Sequence, residues 1–232
     1  MTKKIYSLQS SIEHTNNHIH VELHSPCIII SSAVLNGGIK QAKHIVNLKV
    51  SGNPIVTETP EQTVNHYCTE NNWHGTTIGM MTAASMDSFR LAIESEQGIQ
   101  LCVLVTSGLS NPRRAGDRAD QQIMVVENEQ IGTINTIILS SATLTGAALV
   151  EALMIATEAK STALYDAGII SPVSNLPATG TGTDAIAIVS GKGPETVRYC
   201  GKHVLFGEIL GRLVYRVVMS SIKQLDSHQY NR

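Results

Sequence analysis

Residues 131–168 read IGTINTIILSSATLTGAALVEALMIATEAKSTALYDAG, and the change of chemistry inside this stretch decides the fold. The opening, IGTINTIILSS (131–141), is rich in β-branched residues and predicts a strand. From Thr145 onward strong helix formers run for five turns or more without a proline, which predicts one long helix. Thr145 is expected as its N-cap, because a threonine hydroxyl accepts from a free backbone N–H of the first turn. Gly168 is expected just past its end, where glycine enters the left-handed region without a Cβ penalty. Ala148, Ala152, Ala156, Ala159 and Ala163 recur at four, four, three and four residues, so they form a low-bulk ridge against which another element packs closely.

Toward the C-terminus, TGTGTDAIAIVSG (179–191) places a polar Gly/Thr turn before a strand, and a second long helix is predicted around 201–223. Phe206, Ile209, Leu210, Leu213, Val214, Val217 and Val218 share its apolar face, with Glu208, Arg212 and Arg216 opposite. Gly207 and Gly211 are expected to let this helix approach the alanine ridge. Toward the N-terminus, HIHVELH, CIIISSAV and HIVNLKV read as strands, and FRLAIES and IQLCVLVTS as a hairpin turning at Glu96-Gln97-Gly98. PEQTVNHYCTENN (60–72) opens like a helix, with Pro60 and Glu61 in its first turn. Many strands followed by two late helices is the α+β pattern: a mixed or antiparallel sheet with long C-terminal helices packed on it, in one domain spanning residues 1–232. LDSHQYNR at the end reads as a frayed polar tail.

The 232 residues are 42% apolar and 16% charged, which suffices for one complete core and argues against extended disorder. Seventeen basic against nineteen acidic residues, with no basic stripe and few aromatics, argue against a nucleic-acid partner. The apolar run CIIISSAVL (27–35) is too short to cross a bilayer, and MTKKIYSLQSSIEHTNNHIH lacks the apolar core of a signal peptide, so a cytoplasmic protein without membrane contact is expected. Cys27, Cys68, Cys102 and Cys200 show no CxxC spacing, which excludes a zinc ribbon and a disulfide scaffold.

Three stretches concentrate polar groups. GLSNPRRAGD (108–117) follows an apolar strand and offers Ser110, Asn111, Arg114 and Asp117; the same residues also suit a solvated turn with a local ion pair. ATGTGTDA (178–185) can present backbone N–H groups to an anion ahead of Asp184, but is neither GxGxxG nor a P-loop. GKHVLFGE (201–208) puts His203 at a helix start, which favours a neutral imidazole base; a capping histidine fits equally. Glu151 and Glu158 share a face of the alanine-rich helix near Lys160. His18, His20 and His24 fall on one strand face, as metal ligands or as simple alternation. HExxH and GxSxG are absent, and neither a metal nor a cofactor is assigned.

SSAVLNGG (31–38), NHY (65–67), GMMTAA (79–84), GLSNPRRAGD, GTINTIIL (132–139), ATEAKSTAL (156–164), TGTGTDAIAIVSG and YCGKHVLFGE (199–208) together resemble the adenosylcobinamide amidohydrolase family, from about residue 30 onward. Pro112 and Cys200 depart from the small residues the pattern leads one to expect. The resemblance implies hydrolysis of the amide that joins aminopropanol to a corrin side chain, giving adenosylcobyric acid for re-use in coenzyme B12 synthesis, with cobalt present only in the substrate. On the matching segments it implies substrate contacts from Asn36, Gly37, Gly38, Asn65, His66, Thr82, Ser110, Asn111, Arg114, Asp117, Asn135, Thr181 and Thr183. The reaction needs a base, an oxyanion donor and an acid for the amine. Asp184 with His203 is the expected base pair, Asn135 or the backbone at 180–183 the oxyanion donor, and Lys160 or Glu158 the acid. Attack by Thr181 or Thr183, direct attack by water, and self-cleavage at Gly132-Thr133 stay open, as do self-association and a corrinoid-binding role without turnover.

Overall fold

The structure, a computed structural model, describes residues 3–8, 10–50, 58–120 and 133–229. In chain order the elements are β1 (Lys3–Ser7), β2 (Ser10–His14), β3 (His18–Ser31), β4 (Gly38–Lys49), α1 (Pro60–Glu70), β5 (Thr77–Thr82), β6 (Arg90–Glu96), β7 (Ile99–Ser107) and β8 (Pro112–Arg113). Then follow β9 (Ile134–Ser140), β10 (Thr143–Leu144), α2 (Gly146–Asp166), β11 (Gly180–Thr181), β12 (Ala185–Val189), β13 (Thr196–Val197) and α3 (Leu205–Gln229). Nine strands make one sheet in the order β1-β2-β3-β12-β9-β7-β6, with β4 joined to β3 and β5. β12 runs parallel to β9 and β4 to β5, while the other ladders are antiparallel, so the sheet is mixed and the class is α+β.

β3 organises the sheet. HIHVELH and CIIIS, separate runs in the sequence reading, are one 14-residue strand. Its first half pairs with β2 and its last residues with β12, and its register against β4 shifts between Glu22 and Cys27. An irregularity of that kind bends a strand, and here one sheet supplies both walls of a core. Ile12, Ile19, Val21, Ile45 and Met80 come from one wall, and Leu104, Ile137, Leu139 and Val189 from the other. The alternate residues of β7, β9 and β12, among them Val105, Ile138 and Ile186, face α2 and α3. On the opposite outside, Val64 and Cys68 of α1 pack with Val46 and Leu48. The helix sits so close that a Cβ on Gly79 of β5 would strike Val64 and Leu35.

Both ends of α2 are as the sequence indicates: the Thr145 hydroxyl accepts from Ala148 N at 3.2 Å, and Gly168 has φ +69°. The alanine ridge is buried against the core that α2 shares with α3. Gly211 of α3 lies against Ile155, where a Cβ would rest at 3.5 Å. Gly207 instead lies under the carbonyls of Cys200 and Gly201, so its missing side chain admits a loop rather than the ridge. Ala156 is 0% exposed, so Ala156→Leu is expected to destabilise by about 1 to 3 kcal/mol through overpacking. An unchanged melting temperature would contradict that packing. The frayed tail expected over LDSHQYNR is corrected in part: α3 continues through Gln229, since no glycine or proline interrupts it after Gly211, and residues 230–232 lie outside the described residues.

Candidate active site

The polar loops at 108–117 and 178–185, far apart in sequence, meet in space. β8 and β11 pair antiparallel, with Gly180 opposite Arg113 and Thr181 opposite Pro112. Thr179 N donates to the Arg113 carbonyl (2.9 Å), Ala115 N to the Thr179 hydroxyl (2.8 Å) and the Arg114 guanidinium to the Pro177 carbonyl (2.9 Å). Asp117 accepts from Arg114 N (2.8 Å) and the Ser171 hydroxyl (2.5 Å), bonds that hold its carboxyl below the usual range, the Ser171 contact foremost. Thr179 and the β8–β11 pairing therefore join the two loops, and Arg114 and Asp117 fasten the first to residues 171–177, which lead into the second.

Beside this clamp lies a buried ion pair. Lys160 projects from the buried side of α2 to the carboxylate of Asp184, and the two side chains are 8% and 10% exposed. Asp184 also accepts from Ile134 N (2.9 Å), Thr181 N (3.1 Å) and the Thr181 hydroxyl (2.6 Å). Position 180 is glycine because a Cβ there would run into the Asp184 carboxylate and stand 3.0 Å from Lys160 Nζ. The Asn111 amide nitrogen similarly stands 3.0 Å from where a Gly182 Cβ would be. Asn111 Oδ1 is buried and has no hydrogen-bond partner among the described residues, so an acceptor is held ready beside the pair.

A second network adjoins the first at the head of β9. The Thr133 hydroxyl lies 2.5 Å from the Thr183 carbonyl and 3.1 Å from Asn135 Oδ1, which also accepts from Ala185 N (3.2 Å). Asn135 Nδ2 donates to Asn47 Oδ1 (2.7 Å) and the Met81 carbonyl (2.8 Å), and Asn47 donates to the Thr106 hydroxyl (2.7 Å). Thr82 adjoins this network and turns its hydroxyl to Ala84 N. Taking a lysine and an aspartate out of water costs several kcal/mol per ion, so a buried pair is weak evidence for stability and better evidence for a reactive or binding centre.

The structure thus brings together Lys160, Asp184, Asn111, Asn135, Thr181 and Thr183. It does not bring the remaining expected residues to the pair. His203 is exposed on the turn before α3, and the hydrogen bonds of Asp184 go to Lys160, Thr181 and Ile134 instead. Glu158 is ion-paired with Lys202 at the surface, and Glu151 accepts from Cys200 N (2.6 Å). Asn65 and His66 lie on the exposed side of α1, where His66 pairs with Glu70 at 3.1 Å. Asn36 (φ +57°) and Gly38 (φ +84°) shape the β3–β4 turn, with Asn36 donating to the Thr77 carbonyl at 2.8 Å; a Cβ on Gly37 would meet the Ala33 carbonyl oxygen at 2.5 Å. Ser110 is exposed. Cys200 is buried, and burial pushes its thiol up to about 12, which removes it from nucleophilic chemistry. Asn47 and Thr106 are not among the expected site residues, and Thr133 enters the sequence reading only through the self-cleavage alternative; Gly132 lies outside the described residues.

The histidines form a separate cluster. His18 and His20 are buried, His24 is exposed, and His20 stacks on Trp73 with ring centroids 3.8 Å apart. His20 Nε2 lies 3.0 Å from His44 Nδ1, and His44 Nε2 lies 3.0 Å from the His74 carbonyl, so His44 donates to the carbonyl and accepts from His20. Among the described residues no three His, Cys, Asp or Glu side chains converge as metal ligands. Burial, the leading cause, lowers the pKa of both His18 and His44 below 6.5. The unfolded chain therefore takes up protons first, and stability present above about pH 6.5 is expected to fall as pH drops below it. His44→Gln should flatten that part of a urea-stability profile, and an equally steep profile would show that His44 does not carry the effect.

A mixed sheet covered by two helices, with Lys160 of α2 paired to Asp184 at the head of β12 beside two interlocked polar loops, defines an α+β protein with a buried charged centre. This chain belongs to the adenosylcobinamide amidohydrolase family, whose model matches residues 3–229. It is 28% identical over 203 residues to the adenosylcobinamide amidohydrolase of Methanosarcina mazei, covering 83% of this chain and 88% of that protein. It is 34% identical over 161 residues to an uncharacterized protein of Methanocaldococcus jannaschii, where the match spans 63% of each chain, under two thirds of the relative's length. Among solved structures it is similar to the L-aminopeptidase D-Ala-esterase/amidase of Ochrobactrum anthropi (TM-score 0.44, 10% identity, 96% of this chain and 83% of that one). It is also similar to a β-aminopeptidase of a Burkholderia species (TM-score 0.43, 12% identity, 95% and 81%).

Proposed function

We propose that this chain hydrolyses the amide linking aminopropanol to the corrin ring of adenosylcobinamide, releasing adenosylcobyric acid, with the Lys160–Asp184 pair as its chemical centre. The observation that carries the reading is the burial of that pair beside two loops joined through Thr179 and the β8–β11 pairing. Family membership and the name of the Methanosarcina relative support the substrate.

Attack on the amide carbonyl turns its oxygen into an oxyanion and requires a proton to reach the departing nitrogen. The Lys160 ammonium supplies fixed positive charge for the first need and a transferable proton for the second. Asp184 aims Lys160 and orients the Thr181 hydroxyl, and the buried Asn111 Oδ1, without a hydrogen-bond partner among the described residues, accepts from the substrate amide N–H. Two hydroxyls are at hand: Thr181, which donates to Asp184, and Thr133, in the adjoining network on the Thr183 carbonyl and Asn135 Oδ1. In a covalent route the attacking hydroxyl gives up its proton, for Thr181 to the Asp184 carboxylate it already touches, as its oxygen bonds the carbonyl carbon; Lys160 protonates the departing amine, and water then hydrolyses the ester and restores the hydroxyl. In a direct route water attacks, passes its proton to Asp184, and both hydroxyls remain free.

Release of aminopropanol from adenosylcobinamide, followed by derivatisation and mass spectrometry, tests the reading. Because Lys160 supplies the positive charge, turnover is expected to persist after exhaustive treatment with EDTA. Loss with EDTA and recovery with zinc would contradict the lysine's role and return attention to the histidines. Acid quench during turnover distinguishes the routes: an adduct on the peptide containing Thr133 or Thr181 marks the covalent one.

A further inference from the structure

The loop that connects α2 to β11 exposes apolar side chains where a solvated connection has no need of them. Of the twelve large hydrophobic residues that are exposed among the described residues, Tyr165, Ile170, Val173 and Leu176 fall within one twelve-residue stretch, at 66%, 47%, 40% and 49%. The loop is not loose. Ser171 N donates to the Leu176 carbonyl (2.9 Å), Asn175 N to the Ser171 carbonyl (2.9 Å) and Ala178 N to the Ile169 carbonyl (2.9 Å), and Ile170 bridges to Pro177. Its outer end is tied by Ser171 to Asp117 and by the Pro177 carbonyl to Arg114. It is thus fastened to the same clamp that adjoins Lys160 and Asp184.

Its position follows from the chain. Leu176 precedes Gly180 by four residues, and Gly180 is the glycine pressed against Asp184 and Lys160. Four residues reach at most about 14 Å, and Lys160 to Asp166 is about 9 Å of helix, so the apolar loop stands within the breadth of one large macrocycle from the ion pair. An exposed apolar patch beside a polar centre marks a surface that a ligand covers.

We infer that Ile170, Val173 and Leu176 form the seat for the apolar face of the substrate's macrocycle, so that the ring rests on this loop while its amide arm reaches Lys160. The inference rests on the corrinoid reading given above. It assigns recognition to the loop and chemistry to the pair, and the two are separable. Removing the seat weakens binding of the ring and leaves the reaction of bound substrate intact.

The test uses the full chain and adenosylcobyric acid, which keeps the ring and lacks the scissile amide, titrated by corrin absorbance. Ile170→Ser/Leu176→Ser is expected to raise its Kd about tenfold or more, with KM for adenosylcobinamide rising in parallel and kcat changing less than about twofold. Melting temperature and light scattering accompany each variant. A Kd unchanged in a folded variant overturns the inference, as does a variant whose only change is from dimer to monomer, which would give the patch to a second copy of this chain. If the wild-type chain neither binds nor hydrolyses corrinoids, the function itself fails and the seat with it. If the wild type turns over and the variants bind equally well, the seat alone fails.

Discussion

Lys160→Met is expected to be the most damaging single substitution for the fold, lowering stability by about 3 to 5 kcal/mol, the range for removing one member of a buried ion pair. Asp184 is 10% exposed in its side chain and would remain as a carboxylate without its counter-charge, held among the described residues by Ile134 N and Thr181. Methionine matches the aliphatic stem, so no cavity confuses the result. For a chain of this length each kcal/mol moves the melting temperature by roughly 2 to 4 °C, which makes the drop readily measured. Adding Asp184→Leu should recover much of the loss, because an apolar pair avoids the unpaired charge, yet turnover should stay absent. Stability recovered together with activity would show that the pair has no chemical role.

Asp184→Asn is expected to lower kcat by about 10² to 10⁴-fold with little change in KM, and, because it leaves the buried Lys160 charge without a partner, to cost stability on the scale of the Lys160→Met loss, so kinetics are measured below its melting temperature. The carboxylate presents two acceptor oxygens to four donors: Lys160, Thr181 N, the Thr181 hydroxyl and Ile134 N. An amide presents one oxygen and two N–H groups, so half of that set meets a donor instead of an acceptor. Lys160 loses its counter-charge and Thr181 its aim. Thermal unfolding measured beside the kinetics separates lost chemistry from lost structure, and a variant retaining more than about a third of wild-type kcat, far above that range, would move the centre elsewhere.

Local chemistry made the helices legible. The hydroxyl of Thr145, the positive φ of Gly168 and the capping box of Thr59 and Gln62 on either side of Pro60 are set by neighbours in sequence. The hairpin of β6 and β7 turns at Gln97 (φ +47°) and Gly98 (φ +78°), again a local matter. The continuity of β3 was not legible, because HSP between Leu23 and Cys27 reads as a break, whereas the structure absorbs it as a register shift while β4 keeps pairing on both sides. β1 and β2 pair with their neighbours in sequence, Ser7 opposite Ser10 and His14 opposite Ile19, yet KKIYS and SSIEH hold too few apolar residues to read as strands, and β5 pairs with β4 across α1.

The site divides in the same way. Lys160, Asp184, Asn111 and Thr181 stood out because small and charged residues cluster around them, and Gly180 and Gly182 turn out to be glycine for contacts that only the fold creates. Asn47 and Thr106 sit inside HIVNLKV and LCVLVTS, where one polar residue in an apolar strand reads as tolerance; only the meeting of the two sheet walls brings Asn47 to Asn135 and to the Thr106 hydroxyl. His203 was singled out because a helix start tunes an imidazole, a local argument that says nothing about which direction the preceding turn faces. Asn65 and His66 were carried by a matching segment, and the helix that bears them exposes that side.

Liquid chromatography with mass detection of adenosylcobinamide incubated with the wild-type chain and with Asp184→Asn, side by side, addresses the central claim most directly. The wild type should convert the substrate to adenosylcobyric acid and aminopropanol in equal amounts, and the variant should bind the substrate and leave it unchanged over the same interval. Substrate recovered intact from both, or converted equally by both, would contradict hydrolysis at the Lys160–Asp184 pair.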